Sequence, residues 1–201
     1  MSVSPSPLAS VCVYCGSSDA ADPAYMEAAA AFGKALAADG LRLVYGGGGV
    51  GLMGACAGAA HRAGGKVLGV MPEFLRQREA LFDDVETIVV SSMHERKLIL
   101  FEQSDAFVAL PGGIGTLEEV IELLSWRRLE LHRKPIVFFN PDGFWEPLFT
   151  LLQHTVDHRL VPAGFLKTYG AAETVDAILP AIRALAQEAA DMEPLMLRQF
   201  S

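Results

Sequence analysis

The sequence predicts an α/β fold: a mostly parallel sheet with helices on both faces. Two observations carry this. Short apolar runs of strand length alternate along the chain with longer amphipathic runs of helix length, which is the pattern of repeated strand–helix–strand units. Three of the apolar runs end in small-residue turns, at Gly16-Ser17-Ser18, from Gly46 to Gly51, and from Gly112 to Thr116. In a parallel sheet all three lie on the edge formed by the carboxyl ends of the strands, where ligands bind near a switch in strand order.

The elements follow in order. Residues 1–7 predict a disordered arm, and residues 8–14 a first strand. Asp22 as N-cap and Pro23 in the first turn open a helix that runs to Asp39 and stops at Gly40. Residues 41–45 form the second strand, 52–63 a helix closed by Gly64-Gly65, and 66–71 the third strand. A charged connection over 72–85 leads to a fourth strand at 86–90, a helix at 93–104 and a fifth strand at 106–110. A helix over 116–131, a sixth strand at 135–140 and a helix over 144–158 come next. A short last strand at 165–169 and a last helix at 174–189 complete a single domain of residues 8–189. Residues 190–201 form a tail whose apolar members, Met192, Leu195, Met196, Leu197 and Phe200, are free to dock.

Composition narrows the function. With 51% hydrophobic and 20% charged residues in 201, the chain is globular and long enough to bury most of its apolar surface. A mean hydropathy of +0.30 and the many alanines point to extra buried surface, such as a subunit interface. The net charge of −8 excludes a broad nucleic-acid face, which needs a basic footprint, but allows a small anion in a local pocket. Three cysteines, an odd and low number, predict a reducing compartment without a disulfide framework. The first residues lack the basic segment and apolar core of a secretory signal, and no apolar run approaches the ~18 residues of a membrane span. The expected location is therefore the cytoplasm, with no membrane and no nucleic acid among the partners.

The most informative stretch is Leu110-Pro111-Gly112-Gly113-Ile114-Gly115-Thr116-Leu117-Glu118-Glu119, between an apolar strand and an amphipathic helix. A glycine turn there aims free backbone N–H groups and the positive end of a helix dipole at one spot, which suits a phosphate. Thr116 and Glu119 also fit a capping box, with Thr116 as N-cap. A helix entry needs one turn residue rather than three glycines, so phosphate binding is the fuller account. A carboxylate beside a bound phosphate has its pKa raised by like-charge repulsion, which suits proton transfer.

Other motifs are weaker. The run from Gly46 to Gly54 contains G-x-G-x-x-G twice, but it follows the second strand rather than the first. The nearest acid after the next strand is Glu73, in a proline-flanked loop, so nicotinamide binding is disfavoured. Those glycines either pack helix on sheet or let backbone approach a ribose phosphate. No Gly-Lys-Ser/Thr follows, so there is no P-loop. Met93-His94-Glu95-Arg96-Lys97 starts a helix without the second histidine of a zinc protease. Arg96 and Lys97 at a helix N-terminus oppose the dipole and call for an anionic partner: Glu95 or Glu102 on a solvated helix face, or a ligand phosphate or an active-site carboxylate. Cys12 and Cys15 sit three apart on a strand and so face opposite sides. His154 and His158 lie i, i+4 on a helix, a spacing open to a metal but read first as an exposed face. The basic cluster Arg127, Arg128, His132, Arg133 and Lys134 sits at a helix C-terminus, where cations are favourable without a nucleic-acid partner.

Together, Pro111-Gly112-Gly113-Ile114-Gly115-Thr116-Leu117-Glu118-Glu119 and Met93-His94-Glu95-Arg96-Lys97 resemble the LONELY GUY family of cytokinin riboside 5′-monophosphate phosphoribohydrolases. The shared pattern is P-G-G-x-G-T-x-x-E with M-H-E-R-K upstream. Tyr14-Cys15-Gly16-Ser17-Ser18 and the run from Gly46 to Gly54 also match, so the resemblance covers roughly residues 8–185. It implies a Rossmann-like doubly wound sheet, a homodimer, and hydrolysis of the N-glycosidic bond of cytokinin riboside 5′-monophosphates or AMP to free base and ribose 5-phosphate. It implies no cofactor and no metal. Arg96 and Glu119 match the family's catalytic pair. Lys97, Gly112, Gly113, Gly115, Thr116 and Ser125 match nucleotide contacts, and Gly16, Ser17, Gly47, Gly48, Gly51, Met53 and Glu118 complete the implied binding set. Glu79 matches a further substrate contact if one residue of gap is allowed. Position 114 is Ile where the family commonly has Tyr. Members are often labelled lysine decarboxylases, yet no lysine here lies in a pyridoxal-phosphate context. The alternative is a non-catalytic nucleotide or cofactor carrier of the same fold, which would have no need of the Glu119 carboxylate.

Overall fold

Seven strands pair in one wholly parallel sheet, in the order β4-β3-β2-β1-β5-β6-β7. They are β1 (Ser10–Tyr14), β2 (Arg42–Tyr45), β3 (Val67–Pro72), β4 (Glu86–Val90), β5 (Ala106–Ala109), β6 (Ile136–Phe139) and β7 (Gly170–Ala172). The structure is a computed structural model describing residues 8–76, 82 and 84–197. The predicted arm at 1–7, Glu79 and Phe200 lie outside the described residues. Successive strands step outward from β1 to β4, and the chain then returns to add β5, β6 and β7 on the other side of β1. The order reverses between β1 and β5, so the crevice at their carboxyl ends is the ligand position expected of a doubly wound sheet.

Strand alternation builds a core on each face. Val11, Val13, Leu43 and Val108 face α1 (Pro23–Ala38), α2 (Gly51–Arg62) and α7 (Val175–Leu197), meeting Phe32, Leu36, Leu52, Ile178 and Ile182. Cys12, Tyr14, Val44, Phe107 and Phe138 face α4 (Met93–Glu102), α5 (Ile114–Arg128) and α6 (Glu146–Asp157), meeting Leu100, Val120, Leu123 and Trp145. Cys12 and Cys15 fall in opposite cores, as their spacing predicts, and all three cysteines are buried without a disulfide.

Boundaries differ from the sequence reading in four places. The predicted connection over 72–85 begins by extending β3 to Pro72 and forms a short helix, α3 (Glu73–Arg76). The predicted strand at 165–169 is instead a 3-10 turn, Ala163–Lys167, and β7 follows it at Gly170–Ala172. The apolar content there belongs to a turn that buries Phe165, not to strand alternation. The predicted helix at 144–158 starts at Glu146 behind a 3-10 turn, Pro141–Gly143. The last helix continues to Leu197, through residues predicted as tail, because no glycine stops it.

Candidate active site

The three small-residue turns converge at the β1/β5 switch. Leu110 N–H donates to Tyr14 O at 2.9 Å and Gly16 N–H to Pro111 O at 3.0 Å, which tie the turns after β1 and β5 together. The turn after β1 also locks onto α2. Gly51 has φ +60, and its N–H donates to Asp19 Oδ1 at 2.9 Å. A Cβ on Gly51 would lie 2.5 Å from the Ser17 backbone, so only glycine allows this closure. Met53 N–H donates to Gly16 O at 3.3 Å. The N-terminus of α2 therefore already holds a carboxylate, in the place a dinucleotide phosphate would take.

The N-terminus of α5 holds none of the described side chains. Gly113 is its N-cap in extended conformation without a side-chain cap, and the ladder begins with Leu117 N–H donating to Gly113 O at 3.0 Å. The N–H groups of Ile114, Gly115 and Thr116 precede that first bond and point out of the helix end with the positive dipole. Beyond the chain neighbours and the helix's own backbone, no described atom lies within 4 Å of where a Cβ on Gly113 or Gly115 would stand, so a ligand has access to this backbone. The capping box predicted for Thr116 and Glu119 is absent. The helix starts two residues earlier, Thr116 is buried in its first turn against Gly112, and Glu119 points inward.

Glu119 turns inward because Arg96 waits there. Ser92 caps α4 by accepting from Glu95 N–H, and the Glu95 carboxylate accepts from Ser91 N–H at 2.8 Å. That start sets Arg96 on the inner face, where Nε donates to Val70 O at 3.1 Å, Nη2 to Gly46 O at 3.1 Å and Nη1 to Glu119 Oε1 at 3.2 Å. Arg96 is 6% exposed and Glu119 7%. A Cβ on Gly46 would stand 2.1 Å from Arg96 Nη2, so the glycine run after β2 clears space for the guanidinium. Burial pushes the Glu119 carboxyl up to about 7, with Glu118 and Glu122 adding to the rise and Arg96 and Lys97 opposing it. A raised carboxyl pKa, expected from a bound phosphate, is thus present without one, with burial as its largest cause. Beneath the pair, burial also raises the Tyr14 hydroxyl and the Cys12 thiol, with the nearby Glu119 charge contributing, so both are neutral at pH 7.

Most of the predicted residues come together here. Gly16, Ser17, Gly51, Met53, Gly112, Gly113, Gly115 and Thr116 belong to the three turns and helix starts at the switch, with Thr116 buried. Gly47 and Gly48 end β2 beside it, Gly47 packing on Met71. Lys97 bonds Glu118 at 2.5 Å and Glu122 at 3.0 Å, carboxylates of α5 at the site, rather than Glu95 or Glu102 of its own helix. Ser125 is placed elsewhere: it is exposed, donates to Ile121 O at 2.8 Å, and sits ~16 Å along the axis from Ile114. Sequence reasoning missed Asp19 and the structural part of Gly46. The signal for Asp19 was a carboxylate in the turn beside a glycine-started helix. Among the described residues, no group of three or more His, Cys, Asp or Glu is placed to hold a metal, and no helix is long and apolar enough to cross a membrane.

Comparison with known proteins places this geometry. The family described as "Possible lysine decarboxylase" matches residues 53–182. A cytokinin riboside 5′-monophosphate phosphoribohydrolase of Arabidopsis thaliana is 45% identical over 152 residues, covering 75% of this chain and 70% of the relative. One of Oryza sativa subsp. japonica is 44% identical over 152 residues, covering 75% of this chain and 63% of the relative. Among solved structures, the molybdenum cofactor carrier protein of Chlamydomonas reinhardtii superimposes with a TM-score of 0.68 at 26% identity, covering 89% of this chain and 98% of that one. The molybdenum cofactor binding protein of Rippkaea orientalis gives 0.68 at 24%, covering 89% and 97%, a likeness of fold.

Proposed function

This chain belongs to the cytokinin riboside 5′-monophosphate phosphoribohydrolase family, and from that membership we propose that it hydrolyses the N-glycosidic bond of cytokinin riboside 5′-monophosphates or AMP. The products are free base and ribose 5-phosphate. The observation that carries the reading is a buried carboxyl with a pKa of about 7, Glu119, held by Arg96 one turn inside an open helix N-terminus.

The 5′-phosphate sits on the N–H groups at the start of α5 and sets C1′ over Glu119. As the C1′–N bond breaks, its electron pair leaves with the base and positive charge develops on the ribose. Ionised Glu119 stabilises that charge and takes a proton from the water that attacks C1′, and an equivalent proton reaches the departing base from protonated Glu119 or solvent, which restores the carboxylate. Arg96 spends one N–H on each of Glu119, Val70 O and Gly46 O, so it orients the carboxylate, and its two remaining N–H groups can meet the substrate. The decarboxylase description finds little support in the lysines. Lys97 has its pKa raised by two carboxylates, the reverse of what an amine nucleophile needs, and Lys134 stacks on Phe101 on the other edge of the sheet.

We assign Arg96 and Glu119 as catalytic, and the three turns with Thr116 as the substrate cradle. Lys97 and Glu118 shape its rim. A homodimer is supported by the exposed apolar residues Ile114, Leu98 and Ile121 on the outer face of α4 and α5, the stripe that also carries Ser125. The buried unpaired cysteines support a cytoplasmic location. The test is chromatographic detection of free base after incubation with AMP or isopentenyladenosine monophosphate. Release by the wild type and not by Glu119→Gln supports hydrolysis. Binding without release supports the carrier alternative.

A further inference from the structure

A cavity of about 290 Å³ opens between the C-terminal end of α5 and the 3-10 turn Ala163–Lys167. It lies a helix length from the candidate active site, on the opposite edge of the sheet. Its wall carries Arg127, Arg128 and Arg133 with one carboxylate, Glu130, and Phe165 as apolar backing. In a chain of net charge −8 this is a local reversal of sign. Cations at a helix C-terminus are favourable, and Arg127 Nη1 donates to His132 O at 2.9 Å, tying the following loop to the helix end. That role leaves part of the arrangement unexplained. Arg127 Nε–H is buried with no acceptor among the described residues. Burial and the neighbouring Arg133 charge both pull the Arg127 pKa down, and Glu130 opposes them only in part. Guanidinium groups crowded at a half-buried wall are relieved by an oxyanion, whose acceptors match their fork geometry.

We propose that this cavity binds a phosphate monoester, with its dianionic head between Arg127, Arg128 and Arg133 and its organic part against Phe165. A phosphate head fits better than a carboxylate, because three guanidinium groups around one head call for three acceptor oxygens and a charge near −2. The volume lies at the small end of ligand pockets and suits one small ester. The site does not depend on the hydrolase reading, since no residue of the cradle takes part.

The test is calorimetric titration of the full chain with phenyl phosphate at about pH 7.5 in ~0.15 M salt, where weak surface pairing is screened. The start of α5 also accepts phosphate, so the titration is repeated on Gly113→Asp, which sets a repelling carboxylate at that helix end in open space. The expected result is two binding events in the wild type and one in Gly113→Asp. Arg128→Gln, an exposed change that spares the fold, should weaken the remaining event by about tenfold or more and leave base release unchanged. A single wild-type event lost in Gly113→Asp, or an affinity untouched by both Arg128→Gln and Arg127→Gln, overturns the proposal.

Discussion

Replacing Glu119 by Gln should abolish base release and, at alkaline pH, make the protein more resistant to heat. The sign follows from protonation. In the folded chain the carboxyl titrates at about 7 instead of 4.5. Between those values the native state holds a proton that the unfolded chain has released, so stability falls as pH rises through this window. Below about 4.5 the effect is absent, and above about 7 it is complete. The full displacement is worth about 3 kcal/mol of strain on the native state, an upper bound because the buried site relaxes. Gln keeps the shape and an acceptor for Arg96 Nη1 but cannot ionise. The Arg96 ion pair forms only as Glu119 ionises and is already counted in the pKa of about 7, so it adds no separate pH-dependent offset. The difference in Tm, Gln minus wild type, should therefore climb between pH 5 and 7.5 by roughly 5–10 °C for a chain of this size. The assay is thermal unfolding followed by circular dichroism in phosphate-free buffers. A difference that stays flat with pH, or that shrinks as pH rises, refutes the buried-carboxylate argument, whatever happens to activity.

The other predictions rest on the same geometry. The pH profile of kcat/KM for base release should rise with pH and level off above about 7, since ionised Glu119 is the working form; a profile flat from pH 5 to 9 removes that carboxylate as base. Arg96→Ala should lower kcat by about 10²-fold or more, and because it also strands a buried carboxyl, stability should drop by about 3 kcal/mol, read from urea unfolding. Gly51→Ala should destabilise by about 1 kcal/mol or more and raise KM, because the new methyl drives the Ser17 turn away from the cradle; unchanged KM detaches that turn from substrate binding. Asp19→Asn should raise KM less than Gly51→Ala, since the amide oxygen still accepts from Gly51 N–H.

The sheet was readable because its signals are local. Strand-length apolar runs, glycine stops and the Asp22-Pro23 helix start act within a few residues of themselves, and α1 opens where they place it. The last strand was misplaced because Phe165, Leu166 and Tyr169 make an apolar run that periodicity alone reads as strand, while tertiary packing folds it into a turn. At the candidate site, the sequence names residues that the fold brings together, while the contacts each one makes are less legible. The capping box that spacing offers Glu119 does not form, whereas the pairing with Arg96, expected from the resemblance, does, because the return of the chain to β5 sets the two opposite each other. Lys97 likewise pairs with α5 rather than with its own helix.

The distribution of anions between the two glycine-lined helix starts favours α5, rather than the richer glycine run, as the proposed phosphate site. Both α2 and α5 point their N-termini at the β1/β5 crevice, and both are entered through glycine. A helix start without a side-chain cap attracts an anion in either case. At α2 the need is met from within, by Asp19, and the glycines there serve contacts that a Cβ would block: Gly51 against Ser17 and Gly46 against Arg96. At α5 no described carboxylate caps the first turn, and the nearest buried one, Glu119, is drawn away by Arg96 to lie one turn deeper. The result is an anion site with a proton acceptor behind it, separated by about a helical turn, ~5 Å. That spacing lets one end of a nucleotide be held while its anomeric carbon faces the carboxylate. Gly113→Asp would hand α5 the internal anion that α2 already has, and it should raise KM for AMP steeply while leaving the Glu119 pH dependence in place; an unaltered KM would mean the phosphate rests elsewhere.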